Sequence, residues 1–216
     1  MQADLKVRLV ARSPKSGARS LLTAYTLSVR ADAPPSVSPY RALLGDVYGT
    51  LHPNVRAAHE APLVAEGVFD VVHASHPLVP VLVWIMRLPA SGTSVPVHLR
   101  VVYESATRGV RSLGMRWTRR IGRSTLETRQ YAEDDFLVEK SGAGCVVFVL
   151  HAADGSLIYE RSSTRFMGLR VPSRFSPRIH ACVSPDPAGW HVDVSVHWRR
   201  HLICRYWGRM RPVQKT

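Results

Sequence analysis

The chain has few of the patterns that mark secreted, membrane-spanning or cofactor-dependent proteins. Cysteine is scarce. Cys145, Cys182 and Cys204 are odd in number and widely spaced, with no CxxC. That argues against a disulfide framework and a thiolate zinc site, and each stands in an apolar or strand-like context where a reduced, buried thiol is the ordinary state. Long hydrophobic runs are missing. The longest, Pro77 to Met86, is about half of the ~20 residues a membrane-spanning helix needs. Met1 to Val10 carries Asp4, Lys6 and Arg8 and no apolar core, so no signal peptide and a cytoplasmic location are expected. GxSxG, HExxH, a Walker loop and GxGxxG are all lacking, so neither a metal nor a cofactor is expected.

Acidic residues are also in deficit, with 16 Asp and Glu against 29 Lys and Arg and a net charge of +13. Such an excess raises the question of a nucleic-acid or anionic-membrane surface. The positive residues are nearly all arginine and are scattered through alternating segments. Arg116, Arg119, Arg120 and Arg123 point in and out by turns, as do Arg199, Arg200, Arg205, Arg209 and Arg211. No uniform basic face results, so neither nucleic acid nor a membrane is the expected partner. Charged residues make up 21% and hydrophobic residues 45% of the 216, the balance of a globular chain with one sizeable core.

What is there is mostly period-two alternation. After Gly114, Met115, Trp117, Arg119 and Ile121 take one face, and Arg116, Thr118 and Arg120 the other. After Gly122-Arg123, Leu126, Thr128 and Gln130 alternate with Glu127, Arg129 and Tyr131. Such runs predict half-buried antiparallel strands. Further strands are expected over 66–73, 95–103, 134–140, 144–151, 157–166, 179–184, 190–198 and 202–210. Asp154-Gly155 reads as a hairpin turn, and Gly168 to Pro172 as a break in the sheet. Helical spacing is confined to the first part: Tyr40 to Leu51 behind a Ser38-Pro39 start, and the apolar run His76 to Leu88. That run is apolar all round, so it is expected to plug a barrel rather than touch a membrane. The fold class is mainly β with an α+β start: a curved antiparallel sheet closing into a barrel or half-barrel, capped by N-terminal helices. Residues 1–37 read as a basic, Pro/Ser/Gly-rich flexible arm, 38–212 as a single barrel-like domain and 213–216 as a tail.

Several stretches carry a likeness to a known family. They are Leu88 to Val101 (LPASG…VPVHLRV), Trp117-x-Arg119 with Gly122 and Ser124, and Val138-Glu139-Lys140. Met167 to Pro172 (MGLRVP), Phe175 to Ala181 (FSPRIHA) and His191 to Met210 follow in order. From about Pro39 to Pro212 the chain resembles an uncharacterised bacterial domain of unknown function that occurs alone or fused behind saccharopine-dehydrogenase-like reductase modules. The resemblance supports the domain boundaries and brings no established reaction. It implies that any reductase partner is a separate protein.

Candidate site residues are polar groups on apolar strand faces. Arg119 shares its face with Met115, Trp117 and Ile121, and a guanidinium there needs a carboxylate, a carbonyl or an anionic ligand. Glu139 is its candidate partner and, with burial, a candidate acid or base. His151, beside Val147 and Val149, completes the catalytic set as a proton shuttle. Trp117, His73, Tyr103, Tyr159, His197 and Tyr206 are expected to contact a ligand. His191, Asp193 and His197 share a face, but alternate strand positions rarely bring three ligands onto one ion, so no metal is expected. A small barrel with these residues is expected to bind one small hydrophobic molecule and to carry out cofactor-free cyclisation, isomerisation or proton transfer on it. The competing readings are a non-catalytic carrier or partner of a separate reductase, with a homodimer as one form of association, and nucleic-acid binding.

Overall fold

Alternation becomes architecture once each strand finds two neighbours. In a computed structural model, residues 37–75, 79–86, 88–104 and 113–213 are described. Apart from Val37, the N-terminal arm lies outside them, as do residues 214–216. The strands are β1 (Leu63–His73), β2 (Gly92–Glu104), β3 (Gly114–Ile121), β4 (Ser124–Glu133) and β5 (Phe136–Ser141). They continue with β6 (Gly144–Ala153), β7 (Ser156–Phe166), β8 (Leu169–Arg170), β9 (Arg178–Asp186), β10 (Gly189–Trp198) and β11 (His201–Pro212). The hydrogen-bonded order is β6-β5-β4-β3-β2-β1-β11-β10-β9-β7, and a further β6–β7 pairing closes the ring. Ten strands thus form a closed antiparallel barrel without a free edge, and the two-residue β8 pairs onto β7 where a break was expected.

Closure needs tight bends, and two glycines on neighbouring strands supply them. A Cβ on Gly208 of β11 would stand 2.0 Å from the Val68 carbonyl oxygen, and one on Gly67 of β1 2.0 Å from that of Arg209. Only glycine fits where two backbones approach so closely. The Asp154-Gly155 hairpin forms as expected, both residues having positive φ, the geometry of a two-residue type I′ turn.

The helices divide between the two ends. The single helix expected over Tyr40 to Leu51 is instead α1 (Pro39–Leu44) followed by a 3-10 turn (Gly45–Thr50). Gly45, at φ 54°, takes the left-handed region and ends α1 early. Ser38 caps α1 by accepting from the Arg41 N–H. A short α2 (Pro53–Ala58) follows. The His52 N–H donates to the Gly155 carbonyl, and Asn54 Nδ2 donates to that of Asp186. Those contacts set α1 and α2 over the barrel end that carries the β4–β5, β6–β7 and β9–β10 turns. This is the plug end. The third helix, α3 (Val79–Met86), connects β1 to β2 and therefore belongs to the opposite end, with the β3–β4, β5–β6, β7–β8 and β10–β11 turns. The run expected to plug the barrel thus lies at its other end. Tyr40, Val55 and Leu51 from the plug join Val101, Met115, Leu137 and Leu157 of the strands in one core.

Candidate ligand cavity

Between the plug and the α3 end, the inward side chains leave a cavity of about 720 Å³. Much of its wall is apolar, including Val97, Leu99, Phe148, Val194, Trp198 and Ile203. A chain of polar groups crosses it. Arg119 on β3 donates through Nη1 to Glu139 Oε1 on β5 at 2.8 Å and to Thr128 Oγ1 on the intervening β4 at 2.9 Å. Its guanidinium also lies 4.9 Å from the centre of the Trp117 ring. About a fifth of each charged side chain stays accessible, 21% for Arg119 and 19% for Glu139, and both line the cavity. They are therefore within reach of a ligand although they are removed from bulk water.

The pair's electrostatics run opposite to an isolated buried carboxylate. Burial pushes the Glu139 carboxyl up. The Arg119 charge and hydrogen bonds from Thr128, Arg119 and Gln130 outweigh it and hold Glu139 below the usual range. Burial likewise opposes the Arg119 charge, and Glu139 raises the guanidinium pKa in spite of it. The two directions favour the charged form of each group, so of the two roles open to Glu139 the structure brings out the partner of Arg119 in an ion pair. Tyr206, on β11, also lines the cavity. Burial pushes its phenol above the ordinary range while the Arg119 charge pulls against that. Its hydroxyl has no hydrogen-bond partner among the described residues.

The floor is built by the plug. Tyr40 of α1 donates its hydroxyl to Gln130 Oε1, which leaves the Gln130 amide nitrogen to face Glu139. His59, just past α2, is 1% exposed. Its Nδ1 lies 2.6 Å from the Val55 carbonyl, and its Nε2 lies 2.7 Å from the Tyr159 hydroxyl. A carbonyl can only accept, so Nδ1 carries the proton. Burial, against the pull of the Val55 carbonyl, pushes the ring's pKa down to about 4, so it is neutral and Nε2 accepts from Tyr159. Tyr40, His59, Trp117 and Tyr159 pack edge-on or tilted with ring centres 4.6–6.3 Å apart.

Of the residues singled out from the sequence, Arg119, Glu139, Trp117, Tyr159 and Tyr206 meet at this cavity. The others do not. His73 has inward parity, but it sits at the end of β1 with its ring held by the Pro89 carbonyl at 2.8 Å. Tyr103 donates to Glu60 Oε2 at 2.9 Å at the plug end, where Tyr48 also binds Glu60. His151, expected in the catalytic set, does not line the cavity. It points away from the cavity, half exposed, 3.5 Å from Glu160 on the outer wall. His197 is also on the outer wall, because Val192, Val194 and Val196 are the cavity-facing residues of β10. Asp193, which shares its face, pairs with Arg205. His59, Tyr40 and Gln130 were missed as site residues. Gln130 carried a signal, since it continues the face of Leu126 and Thr128. His59 carried none, because a two-turn helix has too few residues to show a face.

Fold and cavity together define a class: a closed antiparallel barrel with a mainly apolar chamber, one buried ion pair in its wall and a helical plug at one end. The chain belongs to the family described as domain of unknown function (DUF4166), whose match spans residues 51–210. No curated protein and no solved structure matches it. No helix among the described residues is long and apolar enough to cross a membrane.

Proposed function

We propose that the barrel binds one small, mainly hydrophobic molecule bearing a carbonyl or carboxyl group and carries out cofactor-free proton transfer on it, the step common to isomerisations and many cyclisations. One observation carries this reading. A chamber of about 720 Å³, within the size range of small-molecule sites, has apolar walls and an accessible Arg119–Glu139 pair.

Arg119 and the unpartnered Tyr206 hydroxyl act as donors to the ligand oxygen, where negative charge develops as a proton leaves the adjacent carbon. The C–H electron pair moves into the new C–C double bond, and the carbonyl π pair moves onto the oxygen. Glu139 takes the proton and returns it to the same carbon or, where a neighbouring C=C is conjugated with the new double bond, to the far carbon of that C=C. The bonds shift back and the oxygen pair re-forms the carbonyl, so nothing is oxidised or reduced. Ligand oxygen at Arg119 also draws on the charge that holds Glu139 ionised. The carboxylate then becomes the stronger base at the moment it is needed. Tyr40, Gln130 and Thr128 position this pair and need not touch the ligand.

The test starts from the purified full chain. Organic extraction and mass spectrometry identify the bound molecule, and incubation of that molecule with the protein in D2O follows deuterium uptake. The expected result is a hydrophobic compound whose exchange is lost in Glu139→Gln. A bound compound without exchange leaves a carrier rather than an enzyme. No bound compound and no uptake of a hydrophobic fluorescent dye overturns the cavity reading.

A further inference from the structure

The cavity opens at the α3 end, where Gly142, Ala143, Phe166 and Phe175 both line it and are exposed, and we infer that this mouth end docks on the surface of an anionic phospholipid bilayer. The observations are of exposure and charge. α3 spans one side of the mouth: Leu82 and Met86 line the cavity, while Val81 and Trp84 face outward. The β7–β8 hairpin and the segment after it stand at the same barrel end, separated from α3 by the β11, β10 and β9 strands. There Phe166, Met167, Leu169 and Phe175 are exposed. Trp84 at 79%, Met167 at 75% and Leu169 at 77% are nearly as open as side chains in a free peptide. A run that reads as apolar all round thus has two functions in the fold, one face toward the chamber and one toward the surroundings. Globular surfaces seldom leave large apolar side chains so open around one opening unless the patch has a partner.

The charge says which partner. Segments 122–123, 142–143, 167–178 and 199–200 at this end contain Arg123, Arg170, Arg174, Arg178, Arg199 and Arg200 and not one aspartate or glutamate. All six are exposed, and none forms an ion pair among the described residues. Most arginines elsewhere on the barrel do pair, as Arg205 with Asp193, Arg209 with Asp186 and Arg211 with Glu66, although Arg100 and Arg120 form no ion pair among the described residues. The described strand turns at the plug end carry Asp134, Asp135 and Asp154, and in the plug Arg41 and Arg56 are balanced by Asp46 and Glu60. Among the described residues the mouth end is therefore the more positive, and a negative surface attracts it more than the plug end. Apolar tips among arginines suit the interface of a bilayer, where tips enter the acyl boundary and guanidinium groups meet lipid phosphates. A nucleic acid offers phosphates but no apolar layer for Met167 and Leu169. The docking surface stands on these observations alone. That the bilayer supplies the chamber's molecule rests on the functional reading above.

The experiment is flotation of the full chain with phosphatidylcholine vesicles, with and without phosphatidylglycerol. Retention is expected only with phosphatidylglycerol, and it weakens as salt shortens the Debye length from about 30 Å at 0.01 M to about 8 Å at 0.15 M. Trp84→Asp with Met167→Asp, and separately Arg170→Gln with Arg174→Gln and Arg178→Gln, should each weaken retention about tenfold or more. Thermal melting checks that these variants stay folded. Lipids with brominated acyl chains should quench tryptophan fluorescence in the parent chain, and Trp84→Phe should abolish most of that quenching. No retention, or retention unchanged in both variants, overturns the proposal; in the second case the charge acts from elsewhere in the chain. A dimer without vesicles that the same substitutions disperse also overturns it, in favour of a second copy. Docking without any bound hydrophobic molecule supports the surface and counts against the cavity reading alone.

Discussion

The two ends of the barrel solve opposite problems. At the plug end, polar groups are buried and nearly all matched: Tyr40 to Gln130, Tyr159 to His59, His59 to Val55, and Tyr48 and Tyr103 to Glu60. At the mouth, apolar groups are exposed and arginines are unpaired. The plug end carries features that hold a fold together, and the mouth carries exposed apolar groups that cost a free protein solubility. The contrast implies that substitutions at the plug act on stability, and those at the mouth act on encounters with other molecules. Arg119 and Glu139 lie between, buried enough to need each other and open enough to meet a ligand.

The largest expected effect is at this boundary. Arg119→Met leaves Glu139 as an uncompensated buried charge and should cost ~3–5 kcal/mol in urea denaturation. Arg119→Met combined with Glu139→Leu removes both charges and should recover most of that loss while abolishing retention of a ligand. A single variant that melts like the parent would move the boundary, showing the pair to be served by water from the mouth.

Next comes the acid sensitivity of the plug. Folded, His59 stays neutral down to about pH 4, while in the unfolded chain it takes a proton below about pH 6.5. Between those values the unfolded state binds more protons, so stability falls as pH falls. The loss is complete below about pH 4 and is on the order of 3 kcal/mol. Glu139 acts in a lower window. Its folded pKa is depressed, so its contribution is present above the ordinary carboxylate range and is lost as pH falls through the folded value. Urea midpoints from pH 7 to 4 should decline for the parent chain, and His59→Gln should flatten the decline. An equal slope in both would mean that the ring is hydrated in the folded protein.

The smallest effect is the sharpest check on the contrast. Trp84→Asp and Met167→Asp should each change stability by less than about 0.5 kcal/mol, since neither side chain is packed. A loss of several kcal/mol from either would mean that the mouth is covered in solution and the two ends are alike.

Much of this architecture could be read locally. Strand positions followed from alternation, the hairpin from Asp154-Gly155, the first helix start from Ser38-Pro39, and the oddity of Arg119 from its place between Trp117 and Ile121. The site was legible only in part. The sequence of β6, CVVFVLHA, is apolar on both faces, so alternation could not say which face was inside. Phe148 and Leu150 turned in, and Val147, Val149 and His151 turned out. In β10 the three valines did mark the inner face, and His197 fell on the other. His73 and Tyr103 had the right parity but stood at the strand ends, where backbone and plug groups claimed them.

The amino-acid order by itself determined two-sidedness: which residues share a strand face, where the Asp154-Gly155 turn forms and where the first helix starts. These depend on backbone geometry and nearest neighbours along the chain. Only the tertiary structure decided which face is the inside, that β6 meets β7 to close the ring, and that His59 and Tyr40 from the plug join Arg119 and Glu139 from the wall. Those choices depend on burying side chains separated by 90 and 100 positions, as Tyr40 and Gln130, and His59 and Tyr159, are. Burial of a polar group is favourable only when its partner arrives from elsewhere in the chain, and no local pattern records that arrival.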